Sequence, residues 1–137
     1  IFRPFNIYGP GQNEKFLIPS ILKQSKTGII SLNDSEPKRD MVFIDDVVDA
    51  YIKAVEYDLN LYDVFNIGSG ESYSVSEIIN KIKNILKFKI EINYLNKRRK
   101  NEIMNTISDI SKAKKSLNWE PNTSLQIGLK KMIEHEF

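Results

Sequence analysis

The amino-acid sequence predicts an α/β fold, because short strand patterns alternate with helical patterns along the chain. Three observations support this fold class. Residues 1–8 open the chain with a strand pattern. Residues 41–44 form an unbroken apolar run that is too short for a helix and is followed by helical spacing. Residues 61–67 alternate apolar and polar side chains and end at a glycine turn, so residues 64–67 and 1–8 are predicted to be parallel strands of one sheet.

The composition is that of a soluble globular protein with one domain. The 137 residues are 41% hydrophobic and 28% charged, and their net charge of +2 does not indicate a nucleic-acid partner. The absence of cysteine excludes disulfides and a thiolate metal site, and the single histidine, His135, cannot form a zinc site alone. No apolar stretch has membrane-spanning length and no signal peptide is evident, so we expect a cytoplasmic protein without a membrane partner.

The helix that follows residues 41–44 is predicted to begin at Asp45, whose carboxylate suits an N-cap. Its apolar residues recur at helical spacing and predict one stripe facing the core. That stripe consists of Val47, Val48, Tyr51, Ile52 and Val55.

Two polar residues beside predicted strands are candidate ligand contacts. Arg39 precedes the strand at 41–44 and either binds a phosphate or forms a surface ion pair with Asp40 or Glu36. Asn6 lies near the end of the opening strand. Its amide either bonds to a neighbouring loop or faces a ligand beyond the carboxyl end of the strand, where open α/β sheets place theirs.

Further patterns complete the predicted secondary structure. Helical patterns lie at residues 16–26, 74–86, 109–117 and 123–133, and strand patterns at 28–32 and 90–94. Residues 74–77 and 123–126 both match the capping box that opens a helix. The strands at 28–32 and 41–44 are expected to form a small separate sheet near the ligand.

Two loops have compositions that suit a phosphate but do not demonstrate one. The glycine turn at 68–70 follows a strand, yet glycines end most strand-to-helix turns. The basic run at 97–100 by itself indicates a solvated, flexible loop.

Four stretches share patterns with one known family. They are residues 3–12 with Arg-x-x-Asn-x-Tyr-Gly-Pro, 39–47 with Arg-Asp-aromatic-x-x-Val-x-Asp, 65–70 with Asn-x-Gly-x-Gly, and 108–121 with Asp-x-Ser-Lys-Ala and then Leu-Gly-Trp-x-Pro. Together, and in this order, they resemble the extended short-chain dehydrogenase/reductase family, specifically its nucleotide-sugar epimerases and dehydratases. The resemblance covers essentially the whole chain.

This resemblance implies that residues 1–137 are the carboxyl-terminal portion of a Rossmann-type enzyme of that family, with its small substrate-binding subdomain. Residues 1–8 and 64–67 would belong to the Rossmann sheet. The family's glycine fingerprint and Tyr-x-x-x-Lys pair would precede Ile1, which begins the chain inside a strand. NAD would therefore be bound mainly by the missing amino-terminal part, and this chain alone is expected to be inactive.

The resemblance also implies a nucleoside-diphosphate sugar as the ligand. The implied contacts are the diphosphate with Asn6, Arg39 and Arg99, the base with Leu17 and Ile18, and the ribose with Glu102. A guanidinium group suits a diphosphate because it offers a bidentate fork. Arg39 and Arg99 should therefore converge, without compensating charges, on one cleft that faces Asn6. Arg98 and the lysines of the basic run would remain solvated.

The chain departs from the family pattern in three places, of which the first two leave the nucleotide and the sugar open; the reaction is open because the residues that select it would largely precede Ile1. Residues 100–102 are Lys-Asn-Glu where the family commonly has Pro-Gly-Asp, residues 33–37 replace a glycine-rich turn, and Asn118 replaces a glycine. The parent protein would be an NAD-dependent epimerase or dehydratase, or alternatively a non-catalytic nucleotide-sugar binding or regulatory module. An exposed apolar sheet edge predicts a homo-oligomer.

Overall fold

The computed structural model describes residues 1–57 and 62–137. The elements in chain order are β1 (Phe2–Pro4), β2 (Asn6–Tyr8), α1 (Leu17–Ser25), β3 (Ile29–Leu32), β4 (Lys38–Phe43), α2 (Ile44–Glu56), β5 (Phe65–Ile67), β6 (Ser72–Ser74), α3 (Val75–Leu86), β7 (Glu91–Tyr94), α4 (Ser111–Leu117) and α5 (Leu125–Glu136). The predicted α/β alternation is confirmed, although Leu61, the first residue of the alternating stretch, lies outside the described residues. None of the helices described is long and apolar enough to cross a membrane.

The opening strand pattern corresponds to two short strands that join different sheets. β1 pairs in parallel with β5, so that Phe2 lies opposite Phe65, and this confirms the predicted parallel pairing. β2 pairs in parallel with β4, with Asn6 opposite Met41. Between them, the backbone N–H of Phe5 still donates to a carbonyl of the first sheet, 2.8 Å away. The chain therefore passes from one sheet to the next at Phe5.

The expected small sheet of residues 28–32 and 41–44 is wrong. β3 pairs in parallel with β7, whereas β4 lies between β2 and the antiparallel β6. Successive residues of a strand point to opposite faces, and Met41, Val42 and Phe43 are all buried. β4 must therefore be covered on both faces, as in the centre of a sheet. Because β3 is half exposed, a sheet of β3 and β4 alone would not cover both faces of β4.

β4 separates two hydrophobic cores. Met41 and Phe43 pack into a core formed with α1, α3 and α5, and Val42 packs into a second core formed with α2, α4 and Trp119. Trp119 is fully buried, and its indole Nε1 donates to the backbone oxygen of Asp46, 2.9 Å away. The carboxyl-terminal third of the chain is thus held against β4 and α2.

Two predictions about α2 are wrong. The helix begins at Ile44, with Phe43 at the N-cap, so Asp45 lies within the first turn and is not the cap. Of the five residues in the predicted stripe only Val47 is buried. The other four, Val48, Tyr51, Ile52 and Val55, are between 50% and 87% exposed, and we call them the α2 stripe.

The orientation of α2 is explained by a polar residue. The carboxylate of Asp46 accepts hydrogen bonds from the backbone N–H groups of Asn122 and Thr123, at 2.9 and 3.1 Å. These bonds turn Asp46, Val47 and Ala50 inward, and all three are buried. The α2 stripe lies outside this inward face and remains in contact with solvent.

One of the two predicted capping boxes is confirmed. Ser74 accepts from the backbone N–H of Glu77 at 3.1 Å, and the Glu77 carboxylate accepts from the backbone N–H of Ser74 at 2.7 Å. The box predicted at residues 123–126 is wrong, because Ser124 is the N-cap of α5. Thr123 instead directs its hydroxyl to Asp46, 3.3 Å away.

Candidate functional site

A cavity of about 310 Å³ lies where α1, β2, β4 and the loop that follows β7 meet. All six residues that the sequence analysis assigned to a ligand line it. These residues are Asn6, Leu17, Ile18, Arg39, Arg99 and Glu102. The structure therefore brings together residues that are up to 96 positions apart, as counted from 6 to 102. Their roles as ligand contacts remain predictions.

One side of the cavity is apolar. The start of α1 contributes Phe16, Leu17 and Ile18, and Leu32 and Pro37 complete this side. Phe16 is more than half exposed, whereas Ile18 is fully buried in the core. The apolar side therefore combines a side chain in contact with solvent and one held in the core, and apolar groups of this kind suit a flat ring system.

The other side of the cavity carries an ion pair that the sequence analysis did not anticipate. The guanidinium of Arg39 binds the carboxylate of Glu102, and its Nη1 also donates to the backbone oxygens of Lys38 and Ile103, at 2.8 and 2.6 Å. Neither Asp40 nor Glu36 is its partner. The expectation of two arginines without compensating charge is thus wrong for Arg39.

Residues 102–108, which we call the 102–108 segment, run beside β4. They bring the loop that follows β7 to the cavity. The backbone N–H of Lys38 donates to the backbone oxygen of Met104 at 2.8 Å, and the backbone N–H of Asp40 donates to the backbone oxygen of Thr106 at 3.0 Å. The backbone N–H of Thr106 donates in turn to the backbone oxygen of Lys38 at 3.2 Å. These backbone bonds fix the position of Glu102 relative to β4 and explain why Arg39 meets a carboxylate so distant in sequence.

Asp40 anchors the far end of the same segment. Its fully buried carboxylate accepts from the backbone N–H groups of Ser69, Gly70 and Ser108, at 2.6, 3.0 and 3.0 Å. Both serine hydroxyls also donate to it. The glycine turn packs closely here, since a Cβ on Gly68 would lie 2.3 Å from the hydroxyl of Ser108. The turn at 68–70 therefore binds a carboxylate of the protein itself.

The sequence analysis missed Asp40 as a structural residue. The available signal was an acid placed directly before a buried apolar run, a position where a charge must find several hydrogen-bond donors. The donors come from residues about 30 and 70 positions away, and no local pattern identifies them.

Asn6 bonds to a neighbouring strand, not to the loop that one interpretation proposed, and it lines the cavity as well. Its Nδ2 donates to the backbone oxygen of Asp40, 2.8 Å away. An amide nitrogen carries two hydrogens, so one N–H and the side-chain oxygen remain. Asn6 also lines a second cavity, and so does Arg39.

This second cavity, of about 410 Å³, lies beside the carboxyl end of β1. Arg3, Asn66 and Thr106 contribute to its lining. The hydroxyl of Thr106 is buried and has no hydrogen-bond partner among the described residues. Because Asn6 and Arg39 line both cavities, the two form adjoining parts of one surface depression.

Arg98 is exposed to solvent, as expected, and it also pairs with two acids of the turn between β3 and β4. Its Nε donates to Asp34 at 2.6 Å and its Nη2 donates to Asp34 at 3.4 Å and also to Glu36. These hydrogen bonds hold the pKa of the Asp34 carboxyl below its usual value and raise the pKa of Arg98. The turn at 33–37, one of the departures from the family pattern, thus contacts the basic run.

Comparison with known proteins identifies the family. A sequence model of the GDP-mannose 4,6 dehydratase family matches residues 1–132. The chain belongs to this family. The resemblance to extended short-chain dehydrogenases/reductases that act on nucleotide sugars is thereby confirmed, and so is the mixed α/β fold class.

Two curated relatives show the range of reactions in this family. The chain is 33% identical over 136 residues to UDP-glucuronate 4-epimerase from Thermodesulfobacterium geofontis, covering 97% of the chain and 41% of that protein. It is 35% identical to dTDP-4-dehydro-6-deoxyglucose reductase from Escherichia coli, covering 94% of the chain and 42% of that protein. The chain thus spans less than half the length of the curated relatives it matches.

Solved structures share the fold closely. UDP-glucose 4-epimerase from Thermotoga maritima, solved with UDP-glucose, is 34% identical, with a TM-score of 0.88 over 98% of this chain and 44% of that one. UDP-glucuronic acid 4-epimerase from Bacillus cereus, solved with UDP-glucuronic acid and NAD, is 31% identical, with the same TM-score and coverage.

Proposed function

We propose that the chain is the substrate-binding part of an NAD-dependent nucleoside-diphosphate-sugar epimerase or dehydratase. The observation that carries this proposal is the single cavity in which Arg39, Arg99, Asn6 and Glu102 meet. A diphosphate is a compact anion, and the two guanidinium groups that line the cavity supply the charge and the forked donors that it needs. The solved relatives that contain UDP-sugars support the same ligand class.

The two sides of the cavity suggest how a nucleotide lies in it. The base occupies the apolar side beside Leu17 and Ile18, and the diphosphate lies against Arg39 and Arg99. As phosphate oxygens replace the carboxylate at Arg39, Glu102 becomes free to accept from the ribose hydroxyls. The Glu102 side chain is only 13% exposed, so without phosphate oxygens at Arg39 its carboxylate would remain paired with that residue.

The sugar then extends into the adjoining cavity. Asn6 and Arg39 line both cavities, and Arg3 and Asn66 line the second. Sugar hydroxyls both donate and accept, so a wall of arginine and amide groups suits them. The second cavity therefore has the chemistry for a hexose, and the first for its nucleotide.

The described residues do not provide a site for the pyrophosphate of NAD. The glycine turn at 68–70 would be the candidate, but the N–H groups of Ser69 and Gly70 are already bound to Asp40. We therefore assign NAD binding to the rest of the protein and derive no hydride step from this chain.

Calorimetric titration of the chain with UDP, dTDP and GDP tests the proposal. We expect at least one of them to bind, and Arg39→Ala and Arg99→Ala each to weaken that binding about tenfold or more, because each loses a charge-assisted contact. Arg39→Lys should recover only part of the loss, since lysine lacks the fork. Lys100→Ala, in the same basic run, is the matched control and should bind normally. Normal binding by both arginine-to-alanine variants would refute the assignment.

A further inference from the structure

We propose that Arg98 is a positioning residue that holds the neighbouring Arg99 at the ligand cavity. It does so by tying the loop at 97–101 to the acidic turn that carries Asp34 and Glu36. This inference rests on the proposed function of the cavity and adds a residue that the family resemblance did not assign to the ligand.

The contact is a network and not a single surface pair. One guanidinium group binds two carboxylates of the same turn, with Nε and Nη2 both directed at Asp34 and Nη2 also at Glu36. Asp34 is only 14% exposed and additionally accepts from the backbone N–H of Glu36 at 3.1 Å. The turn therefore holds its acceptors in place before Arg98 binds, and the entropic cost that weakens ordinary surface pairs is reduced.

Among the described residues, the backbone hydrogen bonds that join this loop to other segments lie on either side of Arg99. The N–H of Lys97 donates to the oxygen of Asn33, and the N–H of Lys38 donates to the oxygen of Met104, both at 2.8 Å. Between them the loop makes its own turn, in which the N–H of Glu102 donates to the oxygen of Arg99 at 3.3 Å and Asn101 has a φ of +61°, in the left-handed region.

Arg99 itself has no side-chain hydrogen bond or ion pair within the described ranges, although it lines the cavity. Its direction is therefore set by the backbone of the loop. Adjacent residues here point to different partners: Arg98 contacts the acidic turn, and Arg99 faces the cavity. Fixing Arg98 on one side fixes the peptide unit from which Arg99 projects.

The acidic turn reaches the same cavity from the other side. Asp34 and Pro37 belong to the cavity lining, and the turn leads directly into the strand that carries Arg39. The Arg98 network thus connects the two segments that deliver the two proposed diphosphate contacts. Losing it should increase the spread of positions that Arg99 samples without removing a charge from the cavity wall.

Titrations with UDP, dTDP and GDP of the 137-residue chain and its variants test the inference. We expect Arg98→Ala to weaken nucleotide binding by about three- to tenfold and Glu36→Gln by a smaller factor, while Lys100→Ala binds normally. The deciding measurement is a double-mutant cycle with Arg99→Ala. If Arg98 acts by positioning Arg99, Arg98→Ala should cause no further loss once Arg99 is alanine.

The outcomes separate this inference from the proposed function. Absence of nucleotide binding by the unmodified chain, or normal binding by both Arg39→Ala and Arg99→Ala, refutes the proposed function, whereas normal binding by Arg99→Ala alone refutes the positioning role. Binding that depends on Arg99 but is normal in Arg98→Ala, or losses that simply add in the double variant, refutes the positioning role alone. If Arg98→Ala does not fold, as judged by circular dichroism, Arg98→Lys serves instead. It keeps the charge but loses the fork, and should show a smaller loss that again disappears in the Arg99→Ala background.

Discussion

Asp40 and Asp46 are two buried acids, of β4 and α2, that form no ion pair with any of the residues that the structure describes. A carboxylate away from water is tolerated only when donors satisfy its oxygens. Asp40 receives hydrogen bonds from the glycine turn and from Ser108, and Asp46 from Asn122 and Thr123. Each acid thereby fixes a segment of irregular chain to the centre of the fold.

Replacing Asp40 with asparagine should destabilise the protein strongly. The amide group would direct N–H donors at the N–H groups of Ser69, Gly70 or Ser108, leaving buried donors unsatisfied. We expect the free energy of unfolding to fall by about 3 kcal/mol, as measured by urea denaturation.

Asp45→Asn is the matched control for this measurement. Asp45 is also an acid of the same region, but it forms an exposed pair with Lys131 at 2.8 Å. Its replacement should change the free energy of unfolding by less than about 1 kcal/mol. Equal effects of the two substitutions would show that Asp40 does not anchor the segments that surround it.

The Arg98 network predicts a pH dependence of stability. Its hydrogen bonds lower the folded-state pKa of Asp34 below the ordinary value of 3.8, so the unfolded state binds a proton at higher pH than the folded state does. The contribution of Asp34 is therefore fully present above that value and is lost as the pH falls through the folded-state pKa. Urea denaturation at a series of pH values below about 5 measures this loss.

In that series, Asp34→Asn should lose less stability on acidification than the unmodified chain. Arg98→Ala should reduce the same loss, since it removes the main cause of the lowered pKa. Parallel curves for all three proteins would contradict the assigned pairing.

At the scale of elements, the sequence predicted every helix and the parallel pairing of β1 with β5, but it missed the strand β6 and the partner of β3. The capping box at Ser74 and the helical spacing of α3 are local, so they were predicted correctly. The partner of β3 is β7, about 60 residues later, and no local pattern carries that information. The face of α2 was predicted wrongly because the hydrogen bonds of Asp46 to residues 122–123 determine it.

The two serine caps should differ in strength. Ser74 takes part in a reciprocal box with Glu77, whereas Ser124 accepts a single, longer bond from Ile127 at 3.4 Å. Ser74→Ala should lower the free energy of unfolding by about 1 kcal/mol, and Ser124→Ala by clearly less. Thermal and urea denaturation of both variants measure the difference, and an equal cost would contradict the role of the reciprocal bond.

At the scale of the whole molecule, the candidate site combines what the sequence could and could not predict. The six lining residues were predicted from the order of the family motifs, because residue types at matched positions carry that information. The pairing of Arg39 with Glu102 was not predicted, because it depends on the backbone hydrogen bonds between β4 and the 102–108 segment. Those bonds also bring the loop of Arg99 to the cavity without any bound anion.

The exposed α2 stripe predicts self-association of the chain. Its four apolar residues lie on one face of the helix, and the ring of Tyr51 packs against Phe2 of β1 with ring centroids 4.7 Å apart. The patch therefore continues from the helix onto the two-stranded sheet. A continuous apolar surface of this kind is the usual site of association between protein molecules, and a second copy offers a matching apolar face.

Sedimentation velocity over a range of concentrations should show dimers or larger species of the unmodified chain. Tyr51→Glu combined with Val55→Glu should shift the protein to monomer, because the charges would be buried in the interface. Glutamate favours helix at least as well as the residues it replaces, so α2 should remain folded. Ile127→Glu, at an equally exposed apolar position of α5, is the control and should leave association unchanged. A chain that is monomeric at every concentration, or one that all three substitutions affect alike, would show that the α2 stripe does not mediate contact between copies.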